Sequence, residues 1–155
     1  FHDKPLHYRV ILIDQAKLDY EQYKNRDDEL GFYTFYYEML IKWLNQPVTY
    51  NILLDFKKNR SHGHYDVLER CLKHKIPAGG KVAGVHSIDS AETPLAQLTD
   101  LLTGATAATW CSLRDESPKA ELAAYIAKGA GMSSLRVSSL SPSFCKMNIF
   151  KIALK

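Results

Sequence analysis

The sequence predicts an α/β fold in which strands alternate with helices and run parallel. Three observations carry that expectation. Apolar, β-branched runs recur at Tyr8–Ile13, Val48–Phe56 and Lys81–Ile88. The second and third are separated by a helical segment of about ten residues, which suits a crossover and not a hairpin. An aspartate stands at or just past the end of each run: Asp14, Asp55 and Asp89. Parallel strands joined by right-handed crossovers gather functional residues at their carboxyl ends. These three positions are therefore the natural place to look for chemistry.

The first run, YRVILI, reads as a buried strand ending at Asp14. Residues 14–29 are polar and charged, as a long connection or an exposed helical turn would be. From Gly31 to Trp43 the pattern changes. Phe32, Phe35, Tyr36, Met39, Leu40 and Trp43 fall three and four apart and share one face of a helix, which Asn45 and Pro47 end. VTYNILLDF is the second strand and KKNRSHG a basic loop after it. Tyr65–His74 suits a helix with Val67, Leu68, Cys71 and Leu72 inward, broken by Pro77, Gly79 and Gly80. KVAGVHSI is the third strand, and Asp89–Thr93 a polar turn. Pro94 sits where a first helical turn tolerates proline, opening a small-residue helix over Leu95–Trp110. Lys119–Lys128 suits a further helix. A Ser-rich stretch follows, and the closing FCKMNIFKIALK contains a last strand.

The totals fit one domain with a real core: 155 residues, 46% hydrophobic and 24% charged. No stretch approaches the roughly 20 apolar residues of a membrane helix, so no membrane partner is expected. Cys71, Cys111 and Cys145 are far apart and odd in number, which predicts buried, reduced thiols in a cytoplasmic protein. The net charge of +3 permits a nucleic-acid partner. The chain opens on Phe1, not Met, as a processed or truncated product would.

An aspartate at a strand end can simply begin a turn, because its carboxylate caps turns and helices well. Asp55 stands out from that background. It follows ILL and precedes Lys57, Lys58 and Arg60, so its carboxylate leaves a core strand beside positive charge. Hard divalent cations want carboxylate oxygens, and phosphoryl transfer wants such ions to clamp attacking and leaving oxygens. Asp100 is the second notable acid. It lies inside the apolar LAQLTDLLTG, with Gln97 and Gly104 on the same face. Gly104, Ala107 and Ala108 would keep that face thin enough to lie close to a strand.

The stretch SIDSAETPLAQLTDLLTGA resembles the closing signature of the domain of unknown function 3800 family. There, an acidic, serine-containing segment leads into a helix reading leucine-glutamine-x-x-aspartate-x-x-x-glycine. NILLDF resembles that family's central strand, YRVILIDQAKLD its preceding strand and MNIFKIAL its closing strand. The resemblance implies a ribonuclease H-like mixed sheet flanked by helices and a metal-dependent nuclease, of the kind found near mobile elements or defence systems. It implies Asp55 and Asp100 as catalytic acids and ligands of Mg²⁺ or Mn²⁺, approaching each other across the carboxyl edge of the sheet. Asp89 would be an auxiliary ligand, with Gln97 and Asp14 in support.

The family's opening strand bears an aspartate-glutamate-serine-glycine motif, which these residues lack. The first strands are thus expected to be missing and the site incomplete as it stands. The edge beside Tyr8–Ile13 is then expected to be covered by MNIFKIAL or by a second copy in a homodimer.

Lys57, Lys58 and Arg60 are expected to meet nucleic-acid phosphates near Asp55. His62 and His64 could ligate a metal at their spacing, but no third ligand is near in sequence. The aromatic cluster at 32–37 reads as core sooner than as a base-stacking platform. A binding module of the same fold, without catalysis, is the competing expectation.

Overall fold

The computed structural model describes residues 6–17, 28–56, 63–111, 117–137 and 146–152. They form an α/β chain in the order β1 (Tyr8–Leu12), α1 (Asp28–Ile41), β2 (Thr49–Asp55), α2 (His64–Lys75), β3 (Lys81–Ile88), α3 (Pro94–Trp110), α4 (Pro118–Gly129) and β4 (Met147–Lys151). Short 3₁₀ turns at Gln15–Lys17 and Ser90–Glu92 follow β1 and β3. No described helix is long and apolar enough to cross a membrane.

The sequence also leads one to expect Tyr8–Ile13, Val48–Phe56 and Lys81–Ile88 in one sheet, but the described strands pair in two separate sheets. β2 pairs with β3 in parallel, as the crossover length predicts, but β1 pairs in parallel with β4. The register of the latter pair runs from Tyr8↔Met147 to Leu12↔Lys151. The closing strand offers Met147 and Ile149, both almost fully buried, so the tail contributes apolar area as well as backbone partners. Of the two covers expected for a β1 edge, the tail of the same chain is the one observed. The chain divides into two compact units, Phe1–Ile13 with Pro94–Ala153, and Asp14–Thr93 with Leu154–Lys155.

In the first unit, α3 and α4 pack on β1 and β4 around Tyr8, Leu102, Ala105, Ile126, Leu135 and Ile149. Pro118 starts α4 behind an N-cap, where Oγ of Ser117 accepts from the N–H of Ala120 at 3.2 Å. Ala123, Ile126 and Ala127 then fall on one face and are buried. The indole N–H of Trp110 donates to the carbonyl of Leu135 at 2.9 Å, tying the end of α3 to the segment after α4. α3 buries Leu102, Ala105, Thr106 and Ala108. Gly104 is exposed, and a Cβ there would meet nothing within 4 Å. The thin face therefore does not serve close approach to a strand. Leu102 and Ala105 are the residues of α3 buried in one cluster with Tyr8, Met147 and Ile149.

In the second unit, Ile52 and Leu54 alternate along β2 with exposed Asn51, Leu53 and Asp55. The buried pair packs with Leu68 and Leu72 of α2, Val82 and Val85 of β3, and Tyr33 of α1. Tyr33 was not on the expected aromatic face, yet it is the buried aromatic of that run, 6% exposed, and stacks on His64 at 5.0 Å between ring centres. Phe32, Tyr36 and Leu40 pack against the same cluster, so the helix buries a wider face than one stripe. Val67 and Cys71 of α2 are exposed, leaving Leu68 and Leu72 as its inward residues. Cys111 is exposed too, so these two thiols are free but not buried. Cys145 lies outside the described residues.

Candidate functional site

The carboxyl ends of β2 and β3 stand side by side because the pair is parallel. Asp55 closes β2 opposite Ile88, and the ladder continues one residue further: the N–H of Phe56 donates to the carbonyl of Ile88 at 2.8 Å. The next residue on the β3 side is Asp89. Asp55, Phe56, Ser87, Ile88, Asp89 and Ser90 line one open cleft of about 430 Å³. Ligands of open α/β sheets bind at such a strand-end position.

Both carboxylates are held by backbone donors of the turn after β3. Oδ1 of Asp55 accepts from the N–H of Ser90 at 3.2 Å, and Oδ1 of Asp89 accepts from the N–H of Ala91 at 2.8 Å. The hydroxyl of Thr93 closes the same turn by donating to the carbonyl of Asp89 at 2.9 Å. The aspartates thus do what turn-capping aspartates do, and do it on one side only. Among the described residues, the Oδ2 atoms accept no hydrogen bond. Asp55 and Asp89 are both exposed and line the open cleft.

The remaining expected residues belong to other elements. Asp14 caps the turn after β1, its Oδ1 accepting from Ala16 at 3.2 Å. Gln97 and Asp100 are both exposed on α3, on the same side of that helix as Gly104. They belong to the first unit, whereas Asp55 and Asp89 belong to the second. Lys57, Lys58, Arg60 and His62 lie outside the described residues. His64 opens α2 and stacks on Tyr33.

Two carboxylates with one oxygen each to spare suit a hydrated magnesium-type ion, which keeps several waters and takes one or two protein carboxylates. The donor set of this cleft fits that ion. Among the described residues, no three His, Cys, Asp or Glu side chains cluster as a fuller metal site. Sequence reasoning missed four members of the cleft, Phe56, Ser87, Ile88 and Ser90. Ser90 contributes through its backbone N–H, which no side-chain pattern reports. Phe56 was counted as the last apolar residue of a strand, though its ring is exposed. Set against known proteins, the chain matches no family model, and no curated protein or solved structure matches it.

Proposed function

We propose that the chain carries a metal-dependent nuclease core of ribonuclease H-like fold, acting on nucleic-acid phosphodiesters with Mg²⁺ or Mn²⁺. One observation carries the reading. Two aspartates end or follow adjacent parallel strands, line a single cleft, and each keep a carboxylate oxygen clear of the turn they cap. The resemblance of the strand and helix motifs to the domain of unknown function 3800 family supports the same class.

A bound divalent cation supplies Lewis-acid polarisation of phosphate oxygens and makes a coordinated water more acidic. The chain's own part is positioning. Ser90 and Ala91 hold the carboxylates of Asp55 and Asp89 through their N–H groups, which leaves the second oxygen of each for an ion. The two negative charges offset the charge of the ion. Lys57, Lys58 and Arg60, directly after Phe56 in sequence, supply positive charge for a polyanion. Asp100, on α3 of the first unit, stays a second acid of the proposal, as the resemblance implies.

The test combines metal binding and cleavage. Mn²⁺ binding followed by electron paramagnetic resonance should be saturable, and both Asp55→Asn and Asp89→Asn should weaken it with an unchanged circular dichroism spectrum. Labelled single- and double-stranded DNA and RNA should be cut little by these residues alone, but cut with Mg²⁺ or Mn²⁺ by a longer product that adds an upstream acidic strand, and not by the Asp55→Asn form of that product. Absence of both saturable Mn²⁺ binding and cleavage would end the nuclease reading. A second reading rests on the capping hydrogen bonds, which give both aspartates a structural job: a module that binds nucleic acid without cutting it. Binding that persists in Asp55→Asn, with no cleavage by the longer product under any of these conditions, is its signature.

A further inference from the structure

Phe56 is the most telling residue that the proposed chemistry leaves unused. It is 68% exposed, belongs to neither hydrophobic cluster, and lines the cleft beside Asp55 and Asp89. Its backbone is not loose, since its N–H extends the β2–β3 ladder to Ile88. A large apolar ring is therefore fixed at its root and left in solvent. Among the described residues it pairs with no other ring and carries no cation over its face.

We infer that Phe56 is a stacking platform for an unpaired base, and that the cleft takes single-stranded nucleic acid. The inference rests on the nuclease reading of the same site and adds its substrate class. A phenyl ring offers a π-face to any base, so it recognises a strand without reading sequence. That face is available only when the base is not already stacked between neighbours in a duplex. The flanking charges fit the same ligand. Lys57, Lys58 and Arg60 follow the ring in sequence and suit a backbone of phosphates. The carboxylates beside it repel phosphate unless a cation intervenes, which makes binding depend on a divalent ion. A protein partner would use the ring as an apolar contact and would need neither the cations nor the ion.

The experiment is fluorescence anisotropy with the whole chain, in Ca²⁺, a hard cation with oxygen ligands. The probes are a labelled oligothymidylate of about ten nucleotides, within the usual site size of single-strand binders, and a duplex of the same length. The unaltered chain should prefer the single strand. Phe56→Ala should weaken single-strand binding about 10- to 100-fold and leave duplex binding nearly unchanged. Phe56→Trp should retain affinity, and oligothymidylate should quench its added fluorescence. Circular dichroism of both variants guards against misfolding, and Phe56→Trp decides the matter if Phe56→Ala fails to fold. Equal single-strand affinity in Phe56→Ala, or an unquenched tryptophan, would overturn the platform while leaving the nuclease reading intact. No binding of either probe by the unaltered chain would sink both.

Discussion

Oδ1 of Asp55 accepts a hydrogen bond from the backbone N–H of Ser90, 35 residues away, at 3.2 Å. One carboxylate thereby links the end of β2 to the turn after β3. Its structural and chemical roles can be separated, because asparagine keeps an acceptor oxygen and removes the charge. Asp55→Asn is expected to unfold in urea within about 0.5 kcal/mol of the unaltered chain, as surface substitutions usually do. Asp55→Ala should lose about 0.5–1.5 kcal/mol, the net worth of one hydrogen bond. Both should lose Mn²⁺ affinity alike. A metal affinity that follows the stability loss, and not the charge, would assign Asp55 to the turn alone.

Asp89 offers the parallel dissection. It is the N-cap of the Ser90–Glu92 turn through Ala91. Serine caps as well as aspartate, so Asp89→Ser should hold its melting temperature while Asp89→Ala loses about 1 kcal/mol. Neither variant retains a ligand for a hard cation of the strength of a carboxylate. Thermal unfolding with and without Mg²⁺ reads both effects, since an ion that binds only the folded state raises the unaltered chain's melting temperature. An equal Mg²⁺ shift in Asp89→Ser would remove Asp89 from the site.

Elements with a clear period were legible in the sequence. The β2 and β3 strands, the parallel relation between them, and the helix opening at Pro94 all follow from local pattern and connection length. What β1 pairs with was less so, because a strand's partner is decided by burial and not by its own residues. β4 competes for that place with Met147 and Ile149. The inward side of α2 was half right for a similar reason. Val67 and Cys71 flank the stripe of Leu68 and Leu72, and only the width of the covering surface decides which flank is buried. At the cleft, Asp55 and Asp89 were readable as strand-end acids. Their shared turn was not, since backbone donors leave no trace in side-chain chemistry.

Glu69 gives the fold a pH-dependent fastening. Its Oε2 accepts from the N–H of Val85 at 2.9 Å, and its other oxygen pairs with Lys73 one turn along α2. The hydrogen bond from Lys73, then that from Val85, hold the Glu69 carboxyl below its ordinary range. A carboxyl lowered on folding stabilises the fold at pH values above its unfolded range. That contribution fades as pH falls through the lowered folded value, where the carboxylate takes up its proton. Urea midpoints measured from neutral to acid pH should therefore fall more steeply in the unaltered chain than in Glu69→Gln, which still offers Val85 an acceptor but has no proton to bind. Superimposable pH profiles would show that the fastening contributes nothing through its charge.

The packing of α2 makes the sharpest stability prediction. Leu72 is fully buried among Ile52, Leu54 and Val82, whereas Val67, five residues earlier, is 48% exposed. Both read as inward from the sequence, so the structure separates two residues that pattern alone joins. Removing the Leu72 side chain deletes buried methyl and methylene groups and leaves a cavity that a strand-backed site cannot close fully. Leu72→Ala should cost about 2–5 kcal/mol. Val67→Ala gives up little buried area and replaces a β-branched residue with the best helix former, so it should fall within about 0.5 kcal/mol of neutral. Chemical denaturation of the two variants at neutral pH checks the pair. Comparable losses would mean that Val67 is as deeply packed as Leu72, and that α2 meets the sheet with a face rotated from the one seen here.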